Sequence, residues 1–431
     1  MYSRNKELKI PERKFIIKHA IESLNIYFSN NTDRIYQLPV TELENLKIKI
    51  PLKLIAIELP DWGAKAGVEG KILVPEECLT KKNASWSEVD WFLAIFLLLE
   101  SCHERTWELQ KFNIKSYSIR LRKWDTRAWD YAWVNRIGIF LLLWSNKDFE
   151  LNNIERNYDL KMSHDVDAIT KTFQLRLKQG IFNLFNSVRK FKSLKDLKVN
   201  LKKDLYFFIR NTELNNIWYT LSIEKEYGLK STFNLYSKIP LRGPKSWLLD
   251  PSYTLKALKK LEISKLILDH GCDVGMHGSI KSAYQPKVFL AEKNNLEKEL
   301  NLRVRTHRQH WLSLYWEKTF NIYDLGGLHT DSTVMFNDIS GFRNSACLLW
   351  KPWNFEKQQN HMFSECPTVV MDSQIYDYAP SVEHGFARAL EVITEVKSVG
   401  GQGQILWHPH TLSSDFGWDE GFRLICRKMA K

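Results

Sequence analysis

The chain has 431 residues, more than a single hydrophobic core usually serves, so we expect two domains. Hydrophobic residues make up 44% of it, which excludes a mainly disordered protein, and its six cysteines form no Cys-x-x-Cys zinc or redox motif. The formal net charge of +12 is compatible with an anionic partner but does not choose among sugar phosphates, lipid head groups and nucleic acid.

Residues 1–155 are predicted to form an N-terminal accessory domain, α/β or mostly helical. The segment Ser87–Asp90 resembles a capping box and predicts a buried helix that ends near Glu104. A second helix is predicted from about Arg127 to Trp144, with its aromatic residues in the core, and the polar segment 146–157 is predicted to be a linker.

The chain starts with polar sequence rather than with a secretory signal. Its two most apolar stretches, Trp91–Leu99 and Ile137–Trp144, are too short for the roughly 20 residues that cross a bilayer. We therefore expect a cytoplasmic protein.

From residue 156 to 431, short β-like runs alternate with longer helical or loop stretches, which is typical of βα units around a parallel sheet. Several runs end in His, Asp or Arg, and such side chains meet at one rim when parallel strands close into a barrel. The predicted strands are Leu160–Ser163, Ser231–Leu235, Asp273–Met276, Arg303–Arg305, Ile322–Leu325, Thr368–Met371 and Gln404–Trp407.

A basic helical insertion, residues 171–215, interrupts this pattern. Between residues 171 and 203 it is rich in Lys and Arg, with Asp196 as its only acid. One interpretation is an amphipathic hairpin that contacts a membrane surface or a phosphate-bearing substrate. The alternative, which we favour, is a solvated helical face packed on the barrel.

Polar residues at four strand ends could carry hydrolytic chemistry. Asp165 and Asp167, two residues apart, can point to the same side, one toward a metal and the other toward a water proton. His277 follows the candidate strand Asp273–Met276, and Arg308 could keep a carboxylate ionised. His408 could protonate a departing amine; His410 is the alternative acid.

These residues lie in motifs that resemble the NodB-homology domain of polysaccharide deacetylases, carbohydrate esterase family 4, over the stretch from about Leu160 to the end. The resemblance implies an α/β fold, a distorted (β/α) barrel. The motifs occur in the family's order: Ser163–Asp167, Lys230–Phe233, His277–Ser279, Arg308–Trp311, Asp331–Thr333 and Leu406–His408. With Gly341–Arg343 added, the pattern looks closest to a branch associated with surface-polysaccharide or O-antigen biosynthesis.

The resemblance implies metal-dependent hydrolysis of an N-acetyl or other acyl group on an amino sugar. Asp165 matches the catalytic base, Arg308 the residue that orients it, and His408 the general acid. His277 matches a metal ligand, and Asp167 stands nearest the metal-binding acid, displaced by one position. The residues expected to form the substrate pocket are Trp311, Asp331, Ser332, Arg343 and Trp407.

Two departures from the family pattern concern the metal. Lys281 stands where the second metal-binding His is usual, and His310 stands where Pro is usual. We hypothesise that His310 supplies the missing imidazole, with His164 as a second candidate. An Asp167–His277–His310 set favours zinc among divalent metals.

The sequence leaves the substrate open: an acetylated amino sugar, a sugar nucleotide or a lipid-linked oligosaccharide would all suit a cytoplasmic enzyme. A different acyl group is one alternative. Another is a catalytically altered pseudo-enzyme that binds anionic glycan or lipid-linked sugar, although a binder has no need of a proton-transfer set. Nucleic-acid binding is not favoured, because no base-reading motif is present.

Overall fold

The computed structural model describes residues 7–28, 37–43, 46–110, 113–145, 158–189, 202, 205–238 and 244–430. The predicted linker 146–157 and the part of the basic insertion at 190–201 lie outside the described residues. The division into domains at residue 155 therefore stays a prediction. Buried apolar side chains from both sides of that boundary, from Ile16 to Met429, belong to one continuous cluster.

The N-terminal region combines helices with a small antiparallel pair of strands, as predicted. Every residue of the apolar helix at 91–99 is buried, and Asp90 caps it by accepting a hydrogen bond from the Leu93 amide at 2.9 Å. The elements are α1 (Arg13–Ser23), β1 (Leu54–Glu58), β2 (Lys71–Pro75), α2 (Trp91–Leu99), α3 (Cys102–Gln110) and α4 (Trp133–Ser145).

Two predicted helix boundaries in this region are wrong. The first helix does not continue to Glu104, because Ser101 has a left-handed φ of 48° that separates α2 from α3. The second begins at Trp133 instead of Arg127, since a short 3-10 turn at Thr126–Trp129 precedes it.

From residue 158 onward, strands and helices alternate. The strands are β3 (Asp159–Val166), β4 (Ser231–Tyr236), β5 (Asp273–Gly278), β6 (Thr306–Gln309), β7 (Thr330–Asp331), β8 (Trp353–Asn354), β9 (Gln359–Asn360), β10 (Ser364–Glu365), β11 (Thr368–Met371) and β12 (Gln402–Trp407). The helices are α5 (Phe173–Arg189), α6 (Ile217–Glu226), α7 (Pro244–Leu249), α8 (Leu255–Lys260), α9 (Ile263–Asp269), α10 (Pro286–Leu300), α11 (Trp316–Leu325), α12 (Val382–Ser398) and α13 (Asp419–Met429).

Eight of these strands form one sheet in the order β10-β7-β6-β5-β4-β3-β12-β11, with every neighbouring pair parallel. The two edge strands, β10 and β11, are separated by only Cys366 and Pro367. Two residues span a few ångströms, so the sheet must curl until its edges approach each other. The fold is therefore a distorted (β/α) barrel, as expected, and β8 pairs with β9 outside it.

Two strand predictions are wrong. Ile322–Leu325 is the last turn of α11, because Trp316, Phe320 and Tyr323 recur at helical spacing and are buried on one face. The strand predicted at Arg303–Arg305 instead lies at 306–309.

Among the described residues, no helix combines the length and the apolar character that crossing a membrane requires. In the insertion, α5 exposes Phe173, Ile181 and Leu184, each with more than half of its surface accessible.

Candidate functional site

Five predicted site residues converge at the carboxyl ends of the parallel strands. Asp165 is near the end of β3 and Asp167 directly follows that strand; His277 is near the end of β5. His310 and His408 directly follow β6 and β12. Because these strands share one sheet and run in the same direction, residues far apart in sequence face one cavity.

Asp167, His277 and His310 form a compact cluster. The Nε2 of His277 lies 3.2 Å from Oδ1 of Asp167, and the Nε2 of His310 lies 3.5 Å from Oδ2 of the same carboxylate. One ligand atom from each of the three residues falls within 4.8 Å of the others. Oδ1 of Asp167 and Nε2 of His277 are buried without hydrogen-bonding geometry to any partner. Two imidazoles and a carboxylate with buried, unsatisfied donor atoms suit a divalent cation.

In both imidazoles, the ring nitrogen Nδ1 has a hydrogen-bonding partner that fixes the orientation of the ring. The Nδ1 of His277 lies 3.1 Å from the carbonyl oxygen of Arg308, and the Nδ1 of His310 lies 3.1 Å from Oδ1 of Asp250. With Nδ1 donating in each ring, Nε2 presents its lone pair to the cluster, which is the arrangement typical of metal-binding histidines. Asp250 was not predicted from the sequence, and no local pattern at the end of α7 marks it.

Asp165 is buried beside the cluster and is held as a carboxylate. Its Oδ1 accepts hydrogen bonds from Nη1 of Arg308 at 3.1 Å and from Nδ2 of Asn234 at 2.8 Å. Burial would raise the pKa of Asp165, but the electrostatic interactions with His277 and Arg308 outweigh that effect and lower it. An ionised carboxylate can accept a proton.

Arg308 crosses the barrel interior and is completely buried. Beyond Asp165, it donates through Nη2 to Ser163, Thr368 and Gln404 at 2.7–3.0 Å. These contacts fix the guanidinium, and with it the orientation of the Asp165 carboxylate.

His408 also lies beside the cluster, with its Nε2 4.0 Å from Oδ2 of Asp167. The carboxylate of Asp372 makes two contacts with His408, one with Nδ1 at 2.8 Å and one with the backbone amide at 2.8 Å. Burial would lower the pKa of His408, but the charge of Asp372, helped by the cavity carboxylates, raises it to about 9. His408 therefore carries a proton at neutral pH.

Two further residues complete this side of the site. Asp372 was missed, although it directly follows the strand β11 that the sequence predicted. His410 lines the cavity, but burial and the neighbouring His408 lower the pKa of His410 to about 4. His410 is thus neutral near pH 7 and poorly suited to act as an acid.

His164 does not join the metal cluster, contrary to the second hypothesis for the missing ligand. Strand alternation turns it away from Asp165, and its Nε2 contacts Glu224 at 2.8 Å while its Nδ1 contacts the Trp407 carbonyl at 2.9 Å. Lys281 is not among the cavity-lining residues either. The positive charge of Lys281, which would repel a metal ion, is therefore not part of the cavity lining around the cluster.

Four residues expected in the substrate pocket do not line the cavity. Asp331 contacts Nδ1 of His307 at 2.6 Å, and Ser332 donates to the His307 carbonyl at 3.2 Å. Trp407 is fully buried against Phe422.

Arg343, the fourth, forms a buried ion pair with Glu104 of α3 and donates to Ser116 at 2.8 Å. Arg343 therefore links the barrel to the N-terminal region and lies outside the lining of this cavity. Trp311 does line the cavity, as predicted.

No protein-family model matches this chain, and no curated protein matches it by sequence. A solved structure from Mycobacterium smegmatis, provisionally described as a polysaccharide deacetylase, is 15% identical. Its alignment covers 64% of this chain and 84% of that one, with a TM-score of 0.36. The chain is similar to polysaccharide deacetylases.

A CE4 family pseudoenzyme from Bacillus anthracis is 12% identical, with a TM-score of 0.29 and coverage of 64% of this chain and 62% of its own. A mutant CE4 pseudoenzyme with restored enzymatic activity gives the same identity and TM-score, with 64% of each chain covered. TM-scores this low carry no argument about activity, so the proposal below depends on the geometry of the site.

Proposed function

We propose that this chain is a metal-dependent hydrolase that removes an N-acetyl or other acyl group from an amino sugar or glycan precursor. One observation carries the proposal: three sets of side chains surround one cavity. They are a possible metal cluster (Asp167, His277, His310), an ionised carboxylate held by an arginine (Asp165, Arg308), and a protonated histidine held by a carboxylate (His408, Asp372). Metal-assisted amide hydrolysis uses all three functions: a Lewis acid, a general base and a general acid.

Asp167, His277 and His310 would hold the metal, for which zinc is favoured by the two imidazole ligands. When bound, a divalent cation supplies Lewis acidity toward the amide carbonyl and toward water. Asp250 and the Arg308 carbonyl keep both rings in the orientation that such binding needs.

Asp165 is proposed as the general base that takes a proton from the attacking water. Arg308 keeps it ionised and fixes its direction. His408 is proposed as the general acid that protonates the departing amine nitrogen, which would otherwise leave as a high-energy anion. The raised pKa of His408 keeps that proton available at neutral pH.

The proposed substrate class follows from the lining of the cavity and from the net charge of the chain. Trp311 offers the cavity an aromatic wall of the kind that packs against a sugar ring or an acyl group. The net charge of +12 suits a phosphate-bearing sugar nucleotide or a lipid-linked oligosaccharide, and we propose a role in surface-polysaccharide biosynthesis. Peripheral membrane contact through 171–203 stays a prediction, because residues 190–201 and 203 lie outside the described part of the chain.

The proposal is tested by release of acetate and free amine from chito-oligosaccharides and UDP-N-acetylglucosamine, with metal-depleted protein supplied in turn with zinc, cobalt, manganese or magnesium. Asp165→Asn should keep substrate affinity and lose at least about 100-fold in kcat, the usual contribution of a general base. Glu226→Gln, on the exposed end of α6 and paired only with Arg423 among the described contacts, is the matched control and should keep full activity.

If the wild-type protein binds these sugars yet releases no acid with any of the four metals, the pseudo-enzyme alternative replaces the hydrolase. If Asp165→Asn retains wild-type kcat, the assignment of the base is wrong.

A further inference from the structure

The walls of the cavity are mostly apolar beyond the ring of ionisable side chains, although Gln179, Asn337 and Tyr378 also line them. Leu312, Met371 and Leu406 line it and pack together in a small buried cluster of their own. Each lies within two residues along the chain of a proposed site residue. If the carbonyl carbon of a substrate lies at the metal cluster, the group attached to that carbon therefore contacts these apolar side chains.

Helices α5 and α7 extend the same apolar surface outward. The extension consists of Leu175, Ile181 and Phe182 from α5 and Leu248 and Leu249 from α7. The two helices are tied together by Lys178, whose Nζ donates to the Leu249 carbonyl at 2.7 Å and lies 5.4 Å from the Trp311 ring centre. The wall next to the cluster is thus built from two packed elements.

The cavity encloses about 360 Å³, within the roughly 300–1,000 Å³ range of pockets for drug-sized ligands. The single methyl of an acetyl group would leave most of that space unfilled. A sugar ring placed against Leu175, Phe182 and Leu249 would turn hydroxyl groups toward hydrocarbon, which is unfavourable where these groups are removed from water. An aliphatic chain has no such cost.

The geometry points to a substrate whose released acyl group is a chain of about six to twelve carbons rather than acetyl. This inference rests on the proposed amide hydrolysis and specifies its substrate. One water is consumed, the carbonyl carbon–nitrogen bond breaks, the carbon keeps the new oxygen as a fatty carboxylate, and the amine leaves with a proton. The amino-sugar part then remains toward the cavity mouth.

An aliphatic chain could also belong to the other side of the substrate, as a lipid attached to the sugar. The two sources are separated by two matched series of compounds. The first is N-acylglucosamine with acyl groups of two, four, six, eight and twelve carbons. The second consists of alkyl glycosides of N-acetylglucosamine, with alkyl chains of the same lengths.

Both series are measured with the zinc-loaded full chain for kcat/KM, and with Asp165→Asn for binding by calorimetry. In the N-acyl series, affinity and kcat/KM should rise about fourfold per added methylene, equivalent to ~0.8 kcal/mol of burial, until the cavity is filled. In the glycoside series, both should change less than about threefold in total.

A matched pair of variants on α5 locates the chain. Ile181 and Leu184 are both about half exposed, but only Ile181 lines the cavity. Ile181→Trp should lower the ratio of octanoyl to acetyl kcat/KM at least tenfold, whereas Leu184→Trp should keep the wild-type ratio.

Affinity that is independent of acyl length overturns this inference, whether or not the compounds are hydrolysed. A rise confined to the glycoside series assigns the cavity to a lipid aglycone and overturns the acyl assignment. Binding that strengthens with acyl length, without hydrolysis of any compound, supports the chain site and refutes the proposed hydrolase.

Discussion

Asp372 controls the protonation of His408, and Asp372→Asn tests that control. The carboxylate contacts both the Nδ1 and the backbone amide of His408 at 2.8 Å, and it is the largest cause that raises the pKa of His408 to about 9. Without its charge, burial should bring the pKa of His408 to about 6.5 or lower. The change of about 2.5 in pKa corresponds to about 3 kcal/mol.

The consequence for activity has a definite sign. A general acid works only while protonated, so wild-type kcat/KM should hold up to about pH 9 and fall above it. At pH 8, His408 would be about 90% protonated in the wild type and about 3% in Asp372→Asn, a loss of roughly 30-fold. The alkaline limb of the profile should move to about pH 6.5.

The profile of kcat/KM is measured from pH 5 to 10, with an NMR titration of the His408 ring in metal-free protein as a second readout that needs no substrate. Asp377→Asn is the control for the titration, because Asp377 lines the same cavity but is not a leading cause of the raised pKa of His408. An alkaline limb and a ring titration that both stay near pH 9 in Asp372→Asn would refute the reasoning.

The same pair also affects stability. Because folding raises the pKa of His408, its ion pair with Asp372 stabilises the folded state fully below about pH 6.5 and ceases to do so as pH rises through about 9. The difference in unfolding free energy between wild type and Asp372→Asn, measured in urea, should therefore shrink across that interval. A difference that grows with pH would contradict the assignment.

Three further predictions concern the metal cluster and two buried arginines. Asp250→Asn should weaken zinc binding about 10- to 100-fold, because it releases the ring of His310, and His310→Ala should weaken zinc binding more. Zinc affinities are measured by competition with a chelator. Affinities equal to that of the wild type in both variants would exclude this site. Arg308→Met should lower the free energy of unfolding in urea by about 3–5 kcal/mol, because Asp165 is left buried without its cation; a loss below about 1 kcal/mol would contradict that pairing. Arg343→Met should destabilise the fold similarly yet leave kcat/KM unchanged in the folded protein, and a selective loss of kcat/KM would return Arg343 to the substrate pocket.

The sequence predicted well which ionisable residues lie at the strand ends, because that information is local. Apolar runs followed by His or Asp mark where a buried strand ends, and the parallel arrangement brings those ends together whatever the intervening helices are. The side alternation within Ser163–Asp167 correctly placed Asp165 and Asp167 on one face. The same alternation, applied to His164, would have excluded it as a ligand.

Other features were decided only by tertiary structure. Asp250 lies 60 residues from His310 and contacts it because the folded chain brings the end of α7 close to the end of β6. Arg343 looked like a pocket residue by its motif, but its charge is neutralised by Glu104, 239 residues away.

A buried charge needs an opposite charge or hydrogen bonds close in space, and chain folding, not sequence spacing, supplies these partners. By itself, then, the sequence determined the barrel and the reactive groups at its rim. Only the tertiary structure decided which partner holds each group, and so which imidazoles face the cluster and which one carries the proton.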